Sequence, residues 1–252
     1  MFMPENLSDD AFLGGTLRLW QPKQGYRAAT DPVLLAACCG AQAGETVLDL
    51  GCGIGTAALC LSKRVPGLSL AGVELQPDYA ELARRNAARA GTEFEVAIGS
   101  VLDMPREMRR DFDHVISNPP YFRPSGTPAL NPGRDRALRE DVSLPDWIAA
   151  AQRRVRPGGW LTMILRADRL DDAFRGLGSG MGSIHILPFA ARPGREAGRV
   201  VLRARKQGRG ALRLLAPFIL HSGDHHPGDR ENHSPEAEAV FRFGNGLCHL
   251  FD

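Results

Sequence analysis

Residues 46–55 read Thr-Val-Leu-Asp-Leu-Gly-Cys-Gly-Ile-Gly. A short apolar run carrying a single acid passes into glycines at every second position. Such a run, bounded by glycine, is a buried strand, and residues 56–65 behind it read as a helix. Glycines at a strand-to-helix turn let the backbone approach a ligand closely at the C-terminal edge of a parallel sheet. This stretch therefore demands a βαβ architecture with a ligand site above β-strand ends.

The rest of the chain repeats the alternation. A strand over 68–73 ends in Glu74, an acid placed for a ribose diol. A helix over 77–90 follows, then a strand over 94–98 leading to Asp103, which could accept from an adenine amine. Residues 112–116 read as the next strand. A helix over 144–155 is stopped by Pro157-Gly158-Gly159. Beyond it lie a strand over 160–165, a helix to about residue 177 capped by Asp168, and strands over 184–189 and 200–204. Strand and helix in alternation imply a parallel, right-handed, doubly wound α/β sheet.

Ahead of this core, residues 1–13 read as a loose arm. Residues 16–21 alternate in period two as a strand, Pro22 and Gly25 mark a turn, and Pro32 opens a helix to residue 39 with Thr30 or Asp31 as cap. The helix end gathers Arg27, the Thr30 hydroxyl and free backbone N–H groups, so it could hold a ligand carboxylate or simply be capped. At the other end, 212–220 reads as a further strand and a last helix starts at Ser234 or Pro235 and runs through Arg242.

The second constraining stretch is Ile116-Ser-Asn-Pro-Pro-Tyr-Phe122. Two consecutive prolines cannot donate to a sheet ladder, so the strand stops there. An amide stands just before the corner and an aromatic ring just after it. That arrangement suits a planar group carrying an amine: the ring stacks, while the Asn oxygen and a proline-flanked carbonyl accept its N–H bonds. The plainer reading is a strand-ending turn. Residues 123–142 are rich in Pro, Gly, Arg and Asp without an apolar period, as in a functional loop or lid.

At 252 residues, 43% apolar and 24% charged, the composition is that of an ordinary soluble globular protein. The net charge is +2, and lysine occurs only at positions 23, 63 and 206, all other basic residues being arginine. Arg109, Arg110, Arg123, Arg134, Arg136, Arg139, Arg153, Arg154 and Arg156 crowd the corner, which fits a polyanionic substrate or a solvated surface. No run of apolar residues is long enough to span a membrane, and the acidic N-terminus is not a secretory signal. Five cysteines without a C-x-x-C pair suggest reduced thiols and a cytoplasmic protein. His221, His225, His226 and His233 lie in a Gly/Pro/Asp segment with no ligand pattern, so no metal is expected. A phosphate-cradling Gly-x-x-x-x-Gly-Lys is absent.

Taken in order, Asp49-Leu-Gly-Cys-Gly-Ile-Gly55, Glu74, Asp103 and Asn118-Pro-Pro-Tyr121 resemble the successive motifs of class I S-adenosylmethionine-dependent methyltransferases. A dinucleotide dehydrogenase would want a third small residue at Thr56 and leaves the Asn-Pro-Pro-Tyr corner unexplained. The resemblance implies a Rossmann-like seven-stranded sheet whose last two strands form an antiparallel end. It implies one methyltransferase domain over 14–252, with an N-terminal cap (14–44), a catalytic core (45–206) and a short C-terminal extension (207–252). Carried over residue by residue, S-adenosyl-L-methionine would be held by Asp49, Gly51, Cys52, Gly53, Gly55, Glu74, Leu75, Asp103 and Asn118, with Arg27 and Thr30 near its methionine end. Asn118, Pro119, Pro120 and Tyr121 would be the catalytic residues that hold the acceptor.

This form of the corner belongs to enzymes that methylate amide or aryl-amine nitrogen: adenine or guanine exocyclic amines, or glutamine. Gln21-x-x-x-Gly25-Tyr26-Arg27, Asp31-x-x-Leu-Leu, Arg136-x-x-x-Glu140, Pro157-Gly-Gly159, Arg166-x-x-Arg169-Leu170 and Leu220-His221 are further similar to the bacterial tRNA(Val) adenine-N6 methyltransferases. Where that family's pattern opens its last helix with Gly-x-Tyr-Thr, this chain has Asn232-His-Ser-Pro235. The resemblance implies a tRNA partner, with Phe122 as a second wall for the base and Arg134, Arg136 and Arg139 on the RNA backbone. Alternatives are an rRNA guanine amine or a glutamine of a translation factor. Glutamine methyltransferases carry a helical domain ahead of the glycine motif, and roughly forty residues precede Val47 here. A DNA methylase would need a target-recognition domain, and a non-catalytic module would not need an intact corner.

Overall fold

The computed structural model describes residues 2–120, 142–223 and 232–252. The chain opens with an antiparallel hairpin, β1 (Leu7–Phe12) and β2 (Leu17–Pro22), which forms its own two-stranded sheet. The expected loose arm is therefore largely a strand. Its sequence, Leu-Ser-Asp-Asp-Ala-Phe, hides this because the partners of its acids are remote: Asp9 pairs with Arg18 at 3.1 Å and Arg89 at 2.9 Å. Helix α1 (Thr30–Cys38) starts two residues before the expected Pro32, and its N-cap is Ala29, with no side-chain cap from Thr30 or Asp31.

The core continues as β3 (Thr46–Leu50), α2 (Thr56–Arg64), β4 (Ser69–Glu74), α3 (Pro77–Ala90), β5 (Phe94–Ile98) and β6 (Phe112–Ser117). After the corner come α4 (Leu144–Arg154), β7 (Val155–Arg166), α5 (Leu170–Gly176), β8 (Met181–Ala190) and β9 (Ala197–Lys206). Strand β7 follows α4 without a break, so Pro157-Gly158-Gly159 lies inside the strand, where its pairing with β6 is irregular. With the short strand β10 (Arg213–Leu214) at one edge, the sheet order is β10-β8-β9-β7-β6-β3-β4-β5. Strands β3 to β7 are mutually parallel, and β9 runs antiparallel to both β7 and β8. Strands β10 (Arg213–Leu214) and β11 (Phe218–Ile219) each pair parallel to β8. The single strand expected over 212–220 is thus two short pieces with Pro217, which lacks an N–H, between them. Among the described residues the main sheet has nine strands, the expected seven plus these two.

Both faces of the sheet are covered, which is why its strands read as continuous apolar runs. Val47, Ile116, Ile164 and Val201 pack with α1 and α2. Leu48, Leu50, Val115, Leu161 and Met163 pack with α4 on the other side. Helix α6 (Pro235–Phe243), capped by Ser234, and the buried Leu247 and Phe251 join the first layer, so the C-terminal segment closes the core. Strand β3 is the switch point: the chain winds outward through β4 and β5 on one side and β6 and β7 on the other. Ligands of such sheets bind beyond the strand ends at that point. Among the described residues no helix is long and apolar enough to cross a membrane.

Candidate active site

The glycine loop is fastened at both ends. Gly51 and Cys52 donate their N–H groups to the Val73 carbonyl at 2.8 and 3.0 Å. Gly51 has φ +75°, and a Cβ there would lie 2.8 Å from the Trp147 ring. A Cβ on Gly53 would meet only the Tyr26 ring, at 4.0 Å, because the space above it is open cleft. Gly55, at φ +86°, is the N-cap of α2 and packs toward Phe94; it turns the chain and does not line the cleft.

Two acids meet at this loop. Asp49 is 3% exposed and accepts the Ala58 N–H at 3.3 Å. Burial, reinforced by the charge of Glu74, pushes its carboxyl up to about 7. Glu74 accepts the N–H groups of Gly53 at 3.0 Å and Gln76 at 2.9 Å. Burial raises its pKa against the opposing pull of these backbone bonds. A buried carboxyl of this kind is poised for a cationic or polyhydroxyl ligand that replaces the lost water.

A cleft of about 1060 Å³, part of it open to solvent, runs across the ends of β3 to β6. It brings together the expected Asp49, Gly51, Cys52, Gly53, Glu74, Leu75, Asn118, Pro119 and Pro120. The corner is anchored from below. Ser117 donates to the Leu50 carbonyl at 2.6 Å, and the Trp147 indole N–H donates to Ser117 at 3.0 Å, so β3, β6 and α4 share one buried hydroxyl. Asn118 donates through Nδ2 to the Tyr26 hydroxyl at 3.4 Å.

Besides Gly55, three expected ligand residues are not in the cleft. Asp103 points into solvent, its side chain 87% exposed, and pairs with Arg109 at 2.7 Å. The loop after β5 doubles back over Gly99, and Ser100 and Val101 take the position in the wall. Arg27 turns away to Asp10, Ser8 and the Pro22 carbonyl of the N-terminal hairpin. Thr30 is exposed on the first turn of α1 and is not part of the lining. Tyr121, Phe122, Arg134, Arg136 and Arg139, and the rest of the expected loop up to residue 141, lie outside the described residues, as do His225 and His226.

The sequence reading missed Tyr26, Tyr79, Ser100 and Trp147, all of which line the cleft. Tyr26 was legible as part of the Gln21 to Arg27 pattern, but nothing local tells which of two neighbouring side chains faces inward. Of the arginines expected to form a basic face, Arg109, Arg110 and Arg156 are ion-paired to Asp103, Glu95 and Asp113. His221 and His233 stack at 5.4 Å across a β-bridge, and the described residues contain no cluster that could hold a metal ion.

Residues 29–187, from the N-cap of α1 into β8, match the family model described as methyltransferase small domain. The chain belongs to this methyltransferase family. It is 34% identical over 180 residues to a tRNA1(Val) (adenine(37)-N6)-methyltransferase of Porphyromonas gingivalis, covering 64% of this chain and 69% of that one. It is 31% identical over 215 residues to the protein of the same name from Aeromonas hydrophila, covering 81% and 86%. A crystal structure of a predicted O-methyltransferase from Agrobacterium tumefaciens superposes with a TM-score of 0.69 at 26% identity, over 86% of this chain and 98% of that one. The enzyme is an S-adenosylmethionine-dependent methyltransferase, and its family and fold imply a methyl donor of that type.

Proposed function

We propose that this methyltransferase transfers a methyl group from S-adenosyl-L-methionine to the exocyclic N6 of an adenine in tRNA, by likeness to its relatives the adenine at position 37 of a valine tRNA. The observation that carries the reading is the meeting of Asn118-Pro119-Pro120 with the Asp49–Glu74 loop in one cleft. The lining fits such a donor on its own chemistry: the desolvated Asp49 carboxyl suits a cation, Glu74 a ribose diol, and the glycine backbone a close approach.

The bound donor supplies an electrophilic methyl on a cationic sulfur. The acceptor poses the difficulty, because the lone pair of an aryl amine is delocalised into its ring. Asn118, through its side-chain oxygen, and the Pro119 carbonyl accept the two amine hydrogens, localising the lone pair and aiming it along the line of transfer. Positioning and electrostatics do the work; the proton leaves after transfer, without a strong base. Tyr121 and Phe122 stack on a base splayed from its neighbours, and Arg134, Arg136 and Arg139 contact the RNA backbone. Such a substrate places the enzyme in the cytoplasm.

Mass spectrometry of tRNA nucleosides from a strain lacking the gene tests this. N6-methyladenosine should be lost, restored by the wild-type gene and not by Asn118→Ala. Unaltered adenosines with a missing N2-methylguanosine would redirect the reading to guanine.

A further inference from the structure

We propose that Tyr26 is a positioning residue that sets which way round the Asn118 amide faces the methyl acceptor. The inference rests on the reading of Asn118 as an acceptor of amine hydrogens. An asparagine amide has an accepting end and a donating end of nearly equal size, and turning it over reverses its chemistry. With the oxygen facing the acceptor, Asn118 receives an amine N–H. Turned over, it would present its own N–H groups to the amine, and the lone pair would be drawn into the wrong hydrogen bond.

The Tyr26 hydroxyl receives the donating end of this amide at 3.4 Å. It comes from the N-terminal cap, ninety-two residues away in sequence, and is held on several sides. The Tyr26 N–H donates to the Tyr79 hydroxyl at 2.9 Å, and that hydroxyl donates back to the Tyr26 carbonyl at 3.4 Å. Gly25, at φ +107°, leaves room for the contact, since a Cβ there would come within 2.7 Å of the Tyr79 oxygen. Two residues on, the Gln21 amide brackets Ala28, accepting its N–H at 2.7 Å and donating to its carbonyl at 3.2 Å. The tyrosine is thus fixed by α3 and β2 before it reaches the corner.

A hydroxyl can also donate, so the direction of its hydrogen matters. Burial, then the fields of Asp31 and Asp49, hold the phenol well above its ordinary pKa, so it stays neutral. The Asn118 amide nitrogen can only donate, so in this contact the hydroxyl oxygen is the acceptor.

The test uses the full-length enzyme with Tyr26→Phe, which keeps the ring and removes the hydroxyl. The side-chain NH2 signals of Asn118, identified by their absence in Asn118→Ala, should shift and exchange faster with solvent in Tyr26→Phe, and less so in Tyr79→Phe. With unmodified tRNA from the deletion strain, kcat should fall about tenfold to a hundredfold, with cofactor affinity within about twofold of wild type. Unmoved Asn118 signals overturn the proposal. So does an unchanged kcat, or a loss accounted for by weaker cofactor binding. If the wild-type enzyme itself methylates no tRNA, the proposed function fails, while the amide signals still decide the role of Tyr26.

Discussion

Glu74 accepts the backbone N–H of Gly53 at 3.0 Å, so the acid that ends β4 is hydrogen-bonded to the glycine loop that follows β3. Its other oxygen accepts from Gln76 at 2.9 Å, and the carboxylate shapes the loop while facing the cleft. Glu74→Ala leaves both N–H groups without this partner and removes the charged acceptor for a ribose. Hydrogen bonds to charged groups contribute about 1.5–3 kcal/mol, so cofactor affinity should drop by about tenfold to a hundredfold. Calorimetric titration with S-adenosylmethionine checks this, and an undiminished affinity would remove Glu74 from the ribose site.

Stability of the ligand-free enzyme should fall as pH rises from about 4 to about 7. Asp49 is pushed by burial from an ordinary 3.8 to about 7 in the folded chain. Below that window both states carry the proton; within it only the folded state does, so raising pH favours unfolding; above it both are ionised and the curve flattens. The full swing is on the order of 4 kcal/mol, and the raised Glu74 acts in the same direction. Asp49→Asn should flatten the slope in urea melts across this range. A cationic ligand favours the carboxylate, so cofactor affinity should improve between pH 6 and 8, with proton uptake by the buffer.

Ser117→Ala should destabilise the fold and disturb the corner together. The buried hydroxyl serves both the Leu50 carbonyl and the Trp147 indole, and its removal strands both. A buried unsatisfied group costs about 1–3 kcal/mol. Thermal unfolding should show Tm lowered by about 2–4 °C per kcal/mol for a chain of this size. Ser117→Cys, with a weaker donor and acceptor, should fall between the two.

Deleting residues 1–13 should cost stability and activity, although these residues look expendable on paper. Strand β1 pairs with β2 along its whole length, and its buried Leu7 joins Ile54 and Tyr79 behind the glycine loop. Loss of one such leucine alone is worth about 1.5–3 kcal/mol. Removing Asp10 also frees Arg27 and loosens Gln21, which holds the turn before Tyr26. A truncated enzyme with unchanged Tm and kcat would contradict this.

In α3 and β5 sequence and structure agree to the residue, whereas α1 begins two residues before its Pro32 signal. Helix α3 spans Pro77–Ala90 because proline suits a first turn and Gly91 takes the left-handed φ that ends it. Strand β5 likewise matches its expected bounds, residues 94–98. Asn118, Pro119 and Pro120 reach the cleft because consecutive prolines can only end a strand outward. Asp103 and Arg27 stand outside the cleft for one shared reason. Each is a charged side chain on a loop, and which way such a side chain turns depends on a partner, here Arg109 and Asp10, and on which neighbour is already packed inward.

Periodicity, glycine placement and the double proline determined by themselves a doubly wound sheet with a cleft over the ends of β3, β4 and β6, and a strand-ending corner at its edge. These are properties of short stretches whose backbone allows few conformations. Tertiary structure alone decided that residues 7–12 belong to the fold, that Ser100 stands where Asp103 was expected, and that Tyr26 and Trp147 complete the cleft. Each of those outcomes depends on contacts between residues far apart in the chain, Asp9 with Arg89 or Asn118 with Tyr26, and no local pattern encodes which distant partner will be in reach.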